Sequence, residues 1–543
     1  MPVDRRSATA PRGVFRARPR HGSIRHGLLV ALAHRRVHLT WTSLFGVVTA
    51  TSLIVLAITG ILLSFPYVPS GNVVVYDGVY GPLVGSHVSE AFDSTMTISL
   101  EITGGLVLRQ THHWAALLLP ASLVVQLMSA FLSGAFRRPR RLAWLLLVGL
   151  FLLVMIGGWS GYALPDDMLS GTGLRVVHGV VLGIPQVGGW AALLLFGGEF
   201  PGLIIERLYA LHMYVVPAAV AVILAARAIL AWRNGSPVPA RAAVSGSLGI
   251  PLWPVATLKM VGMGAVTAAV TVLFGATATI SPVWAYGPAD PGSVGAGSQP
   301  DWYMGLLDGA LRLVPAGWET VWLGYTLTVA ILVPLLVVGA WFAALALYPF
   351  LEGWVTSDTL DHHVLERPRN VPVRTGIGVA GALFYGVLWG AASSDIVATT
   401  FGISFESVIS ALQVTLILGP PLAFAVTRRI AIGLQRKDRD IARYGHETGR
   451  ILRTAEGGYV EAHAPADAAT RALLTTSCVR AVPVRSDRHG RSSARRRLRG
   501  FLGRWFAQGQ VRPESHRLLD VEPTVTIHAR THAAGEGAPQ LRV

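Results

Sequence analysis

Two histidines occupy matching places in this chain: His112 near the start of one long apolar segment and His212 near the start of another. Arg109 precedes the first by three residues, and Arg207 precedes the second by five. Ionisable side chains inside apolar segments are costly and mark functional candidates. Two imidazoles from different helices at one depth suit axial ligation of a b-type haem iron, with Arg109 placed to pair with a haem propionate. The plainer alternative is that each ring only hydrogen-bonds within a helical bundle. Cysteine narrows the choice of cofactor. Cys478 is the lone cysteine and no C-x-x-C-H occurs, which excludes a covalent c-type haem and a cysteine-ligated iron–sulfur cluster.

The elements that must hold these residues follow from composition. A chain of 543 residues that is 52% hydrophobic and 14% charged would expose too much apolar surface as a soluble domain. An all-α integral membrane protein is expected. Apolar stretches long enough to cross a bilayer lie near 40–64, 106–131, 142–165, 209–232, 257–280, 320–348, 374–393 and 407–427, giving eight spans. The first four form a bundle that carries both histidines, and four further spans follow. A shorter apolar stretch at 187–198 reads as a helix on the membrane surface.

Basic residues set the expected orientation. Arg5, Arg6, Arg12, Arg16, Arg18, Arg20, Arg25, Arg35 and Arg36 crowd the N-terminal arm, whereas 66–103 holds no Lys or Arg. Arg137, Arg138, Arg140 and Arg141 mark the second connection, and Arg367, Arg369 and Arg374 the sixth. Both termini are expected on the cytoplasmic side of the cell membrane, with His112 and His212 toward the outer side. The net charge of +16 is then a topology signal and points to no nucleic-acid partner. Expected divisions are a basic arm at 1–35, the bundle at 36–235, a second membrane region at 236–430, and a basic tail at 431–543. The last part of the tail reads as irregular or held to membrane lipid.

Three segments then carry a resemblance: Arg109-Gln110-Thr111-His112-His113-Trp114, Gly161-Tyr162-Ala163-Leu164-Pro165 and Gln299-Pro300-Asp301-Trp302-Tyr303. They resemble the cytochrome b subunit of respiratory cytochrome bc complexes, most closely the actinobacterial form that works with menaquinol. The resemblance implies an outer quinol-oxidation pocket built on Pro300, Asp301, Trp302 and Tyr303, with Asp301 as proton acceptor and Tyr303 lining the site. It also implies a Rieske iron–sulfur subunit, a cytochrome c subunit and a terminal oxidase as partners, in a homodimer.

The family holds two haems stacked across the membrane. Its second and fourth spans each carry another histidine, 14 or 15 residues after the first, nearly four turns and about 21 Å along the helix. Here those places hold Gln126 and Arg227. Arginine offers no lone pair to iron. The family also has glycine pairs 14 apart in the first and third spans. Gly46 and Gly60 are both kept, and Gly161 is kept, but its companion is Leu147. A leucine there fills space an inner haem needs. The expectation is one haem b, on the outer side, and a broken inner electron path. His26, His34, His38, His362 and His363 read as loop residues rather than substitute ligands. The competing reading is a non-catalytic paralogue that keeps the fold as a scaffold.

Overall fold

Among the described residues, eight helices are long and apolar enough to cross a membrane, following the apolar runs of the sequence. The computed structural model describes residues 31–293, 299–315, 317–475 and 494–510. Its spans are α1 (Trp41–Leu63), α2 (Gly105–Leu132), α3 (Arg141–Ala163), α4 (Ile204–Asn234), α5 (Leu252–Thr277), α6 (Val329–Thr356), α7 (Pro372–Ala391) and α8 (Phe405–Tyr444). A ninth helix, α9, covers Ala494–Phe506. Thr40 opens α1 with a capping box to Ser43, satisfying backbone donors that the first turn leaves free.

The sixth and eighth spans differ most from the sequence expectation. The sixth span begins at Val329 rather than 320, because Glu319–Trp322 pairs with Tyr325–Thr328 as an antiparallel hairpin. Leu323 and Gly324 turn it at positive φ. A run rich in Thr, Val and aromatics packs as readily into a strand as into a helix, and hydropathy cannot tell the two apart. The eighth helix continues to Tyr444 although its apolar run ends near 427. Arg, Lys, Gln and Ala are good helix formers, so the helix outlasts the span.

The tail holds regular structure. His446–Arg453 and Tyr459–Ala464 form a hairpin, and α9 is a packed helix, not irregular chain. Trp505 stacks on Phe424 of α8, ring centroids 5.9 Å apart, and Phe506 is buried against Val371 and Val373. Leu502, Trp505 and Phe506 share one side of α9, and burying that side stabilises the helix. Residues 1–30 with His26, 476–493 with Cys478, and 511–543 lie outside the described residues. The stretch at 187–198 is a separate helix, Gly188–Phe196, burying Ala192 and Phe196 while Trp190 and Leu194 stay exposed.

Successive spans α1 to α4 alternate in direction. The late parts of α1 and α3 therefore meet the early parts of α2 and α4, as the approach of Gly60 to His112 and of Gly161 to His212 records. Trp144 of α3 donates to the Leu345 carbonyl of α6 at 2.9 Å, tying the bundle to the later spans. The opposite end of the bundle is held by charge. Arg374 of α7 is fully buried and pairs with Glu352 and Glu366, while Arg137 pairs with Glu366 at 3.0 Å. Below, this is the arginine end and the other the histidine end.

Candidate functional site

Successive residues of a helix project about 100° apart, so the Arg109–Trp114 run of α2 reaches several neighbours. Three side chains latch the segment that follows α5. Gln110 donates to the Ile280 carbonyl and accepts from its amide, both at 2.8 Å. Trp114 Nε1 donates to Ala278 O at 2.8 Å, and Arg109 Nη2 to Ser281 O at 3.0 Å. The two histidines of the run point elsewhere.

His112 faces His212 of α4, with ring centroids 6.1 Å apart and planes at 65°. His212 lies in a π-helical turn, Leu211–Val215, a local widening common at functional positions. Hydrogen bonds fix which nitrogen of each ring carries the proton. Thr59 Oγ1 gives its hydrogen to Val55 O at 2.6 Å, so at 2.8 Å from His112 Nδ1 it can only accept. His212 Nδ1 lies 2.8 Å from Gly157 O, which only accepts. Both rings are therefore Nδ1–H tautomers. Each Nε2 is left as a bare lone pair, without a hydrogen-bond partner among the described residues, which is the form that ligates a metal.

Glycine spacing in α1 and α3 follows from these rings. A Cβ at Gly161 would come within 2.5 Å of His212 Cε1, and one at Gly60 within 3.1 Å of His112 Cε1. Gly46 differs: it is exposed, and a Cβ there would meet nothing within 4 Å.

The corresponding polar positions toward the arginine end are committed to the protein itself. Gln126 Nε2 donates to Thr49 Oγ1 at 2.6 Å and lies 3.3 Å from Phe45 O, and Thr49 also bonds Ser122 at 2.6 Å. Arg227 Nη1 donates to Ala143 O at 2.8 Å, one turn from Leu147. Leu147 is buried in the main core with Leu123, Leu127 and Val220. The candidate substitute histidines are engaged or exposed. His38 bonds Ser247 O, His362 bonds Asp358, and His34 and His363 are exposed.

The Pro300–Tyr303 loop packs beside the histidine end. Trp302 Nε1 donates to Leu117 O at 3.3 Å, and Tyr162 OH donates to Gln299 O at 3.1 Å. Asp301 is held from two sides. His113 Nε2 lies 3.0 and 3.1 Å from its two oxygens, and Tyr303 OH donates to Oδ2 at 2.9 Å. Burial, reinforced by the Asp301 charge, pushes the Tyr303 phenol well above its ordinary value, so it stays a donor. Gly158 makes room for that phenol, since a Cβ there would lie 2.2 Å from its oxygen. Sequence reasoning missed His113, Thr59, Gly157 and Gly158. The adjacent His-His and Gly-Gly pairs were the available signal, but neither states its partner.

The chain is similar to known proteins. A family model described as cytochrome b(N-terminal)/b6/petB matches residues 117–288. The cytochrome bc1 complex cytochrome b subunit of Streptomyces coelicolor is 42% identical over 428 residues, covering 78% of each chain. The chain belongs to the bc1-complex cytochrome b family. The Mycobacterium tuberculosis subunit of the same name is 41% identical over 430 residues, again 78% of each chain. The Corynebacterium efficiens subunit is 39% identical over 432, covering 78% of this chain and 79% of its own. A solved chain titled hyperthermophilic respiratory Complex III shares the fold, with a TM-score of 0.54 at 18% identity, covering 75% of this chain and 98% of that one.

A cytochrome b is expected to hold haem b, and the histidine end fits one. Two Nε2 atoms carry no hydrogen-bond partner among the described residues, on rings whose centroids lie 6.1 Å apart, a separation that suits two imidazoles bound to one ion. No cluster of three or more His, Cys, Asp or Glu side chains occurs among the described residues, and two imidazole nitrogens are the protein donors that would hold a b-type haem iron. Arg109 Nε is buried without a partner, available to an anionic substituent.

Proposed function

We propose that this chain is the cytochrome b subunit of a menaquinol–cytochrome c reductase that binds one haem b, between His112 and His212, and lacks the inner haem. The observation that carries this reading is the contrast in hydrogen bonding. At the histidine end two ring nitrogens are left free, while at the arginine end Gln126 and Arg227 are spent on Thr49 and on the Ala143 carbonyl, with Leu147 packed between core residues.

Bound there, the haem supplies a one-electron acceptor. The chain's own residues do the rest. Pro300 and Trp302 hold the loop, Asp301 accepts a hydroxyl proton of the quinol as the electron leaves, and Tyr303 stabilises the carboxylate by donating to Oδ2. Arg109 pairs with a propionate. Without an inner haem, the electron path to an inner quinone site is interrupted and the full Q-cycle is lost. In this reading the histidine end faces outward, both termini are cytoplasmic, and the homodimeric complex in the cell membrane includes a Rieske protein and a cytochrome c subunit and passes electrons to a terminal oxidase.

Haem-to-protein stoichiometry tests the reading. One haem b per chain is the expected result. Two would restore the ordinary two-haem enzyme, and zero would make the chain a scaffold.

A further inference from the structure

The two histidines of the pair in α2 serve different groups. His112 turns into the bundle toward His212, and His113, one residue on, reaches the Pro300–Tyr303 loop, 188 residues away in sequence. Its Nε2 lies 3.0 and 3.1 Å from the two oxygens of Asp301. An ionised carboxylate only accepts, so Nε2 carries the hydrogen and His113 is a donor shared between both oxygens. Tyr303 OH adds a second donor, to Oδ2 alone, at 2.9 Å.

Counting sites on the carboxylate gives a direction. Each oxygen offers two lone-pair positions. Oδ2 receives His113 and Tyr303 and is filled; Oδ1 receives only His113 and keeps one open. A donor shared by both oxygens also fixes the rotation of the carboxylate about its Cβ–Cγ bond. Asp301 itself stands in a loop, where the nearby Gln299 bonds Tyr162 and, at 2.8 Å, Asp395. Without His113, one donor on one oxygen would hold the group.

We propose that His113 is a positioning residue for the quinol proton acceptor, orienting Asp301 so that Oδ1 is the oxygen that takes the proton. The inference rests on the proposed quinol site. In the step, one quinol O–H bond breaks, its proton bonds to Oδ1, and one electron leaves to a one-electron acceptor of the proposed complex, the Rieske iron–sulfur cluster or the b-type haem; the second proton and electron leave in a separate step. His113 keeps its own hydrogen throughout. The same turn of α2 thus carries the proposed haem ligand His112 and the residue that orients the proposed proton acceptor.

The test uses the full complex in its native membrane, with a short-chain menaquinol as substrate and b-type absorbance as a control for folding. In His113→Leu, kcat should fall about 10- to 100-fold, the usual loss when an orienting partner is removed. KM and absorbance should stay near wild type. His113→Gln, which keeps an N–H donor of similar reach, should recover most of the rate. His113→Leu combined with Asp301→Asn should be no slower than Asp301→Asn alone, because the two act as one unit. A wild-type kcat in His113→Leu, or losses that simply add, would overturn the inference while leaving the quinol site standing. A wild-type rate in Asp301→Asn would instead remove the quinol-site reading, and the inference with it.

Discussion

The histidine end and the arginine end of the four-helix bundle are built from the same helices at nearly the same spacing, yet their polar groups are used in opposite ways. Near Gly60 and Gly161, every local hydrogen bond to His112 and His212 falls on Nδ1, and Nε2 is left open. Some 14 residues along, Gln126 bonds Thr49 and Arg227 bonds a carbonyl. Gln126 Nε2 and Arg227 Nη1 are bonded within the protein, and neither side chain offers the imidazole lone pair that the histidine end leaves open. A cofactor site in a bundle is therefore recognised by what the surrounding structure withholds from a side chain as much as by the side chain itself.

Removing either histidine should break the comparison most completely. His212→Ala or His112→Ala is expected to abolish b-type absorbance, since this site would lose one of its two protein ligands to the iron; absorbance retained in the His212→Ala protein would mean the histidine end is not the haem site. The reverse experiment sharpens the contrast. Converting Gln126 and Arg227 to His and Leu147 to Gly together should raise the haem content from one to two per chain. A ratio still at one would place the barrier in the wider packing of Leu123, Leu127 and Val220 rather than in the three exchanged positions.

A smaller effect is expected from the partner that sets the tautomer. Thr59→Val keeps shape and removes the acceptor of the His112 Nδ1–H, so haem affinity should drop about 10- to 100-fold, as outer-partner losses do elsewhere. Titration of haem into the stripped protein would detect it, and wild-type affinity would show that the tautomer is fixed some other way. Smallest is a pair of glycine changes. Gly161→Ala pushes a methyl against His212 Cε1 and should weaken haem retention. Gly46→Ala meets nothing and should leave haem content unchanged, with stability within about 1 kcal/mol by thermal unfolding. Equal effects from the two would erase the distinction between the ends.

Much of the fold was legible because membrane spans are written in run length. Six of the eight spans begin and end within a few residues of their apolar stretches, since the hydrocarbon core demands a continuous apolar helix. Where other rules compete, reading failed. Glu319–Thr328 is apolar enough to extend a span but folds as a hairpin, and α8 runs on through Arg436 and Asp438 because helix propensity outlives hydropathy. The α9 helix was hidden by its arginines, whose side chains do not oppose burial of the Leu502–Phe506 side.

For the site, the sequence by itself determined identities and spacing. His112 and His212 are the ligand candidates, Arg227 cannot ligate anything, and Asp301 stands in a Pro-Asp-Trp-Tyr segment. Those facts follow from side-chain chemistry and the helical repeat, which are local. Only the tertiary structure decided which nitrogen of each ring is free, that Gly158 admits Tyr303, and that His113 belongs to Asp301 rather than to the ring pair beside it. The physical reason is the range of the deciding bonds. Thr59 is 53 residues from His112, Gly157 is 55 from His212 and Asp301 is 188 from His113, so a proton's position on each ring is set by a neighbour that no local pattern names.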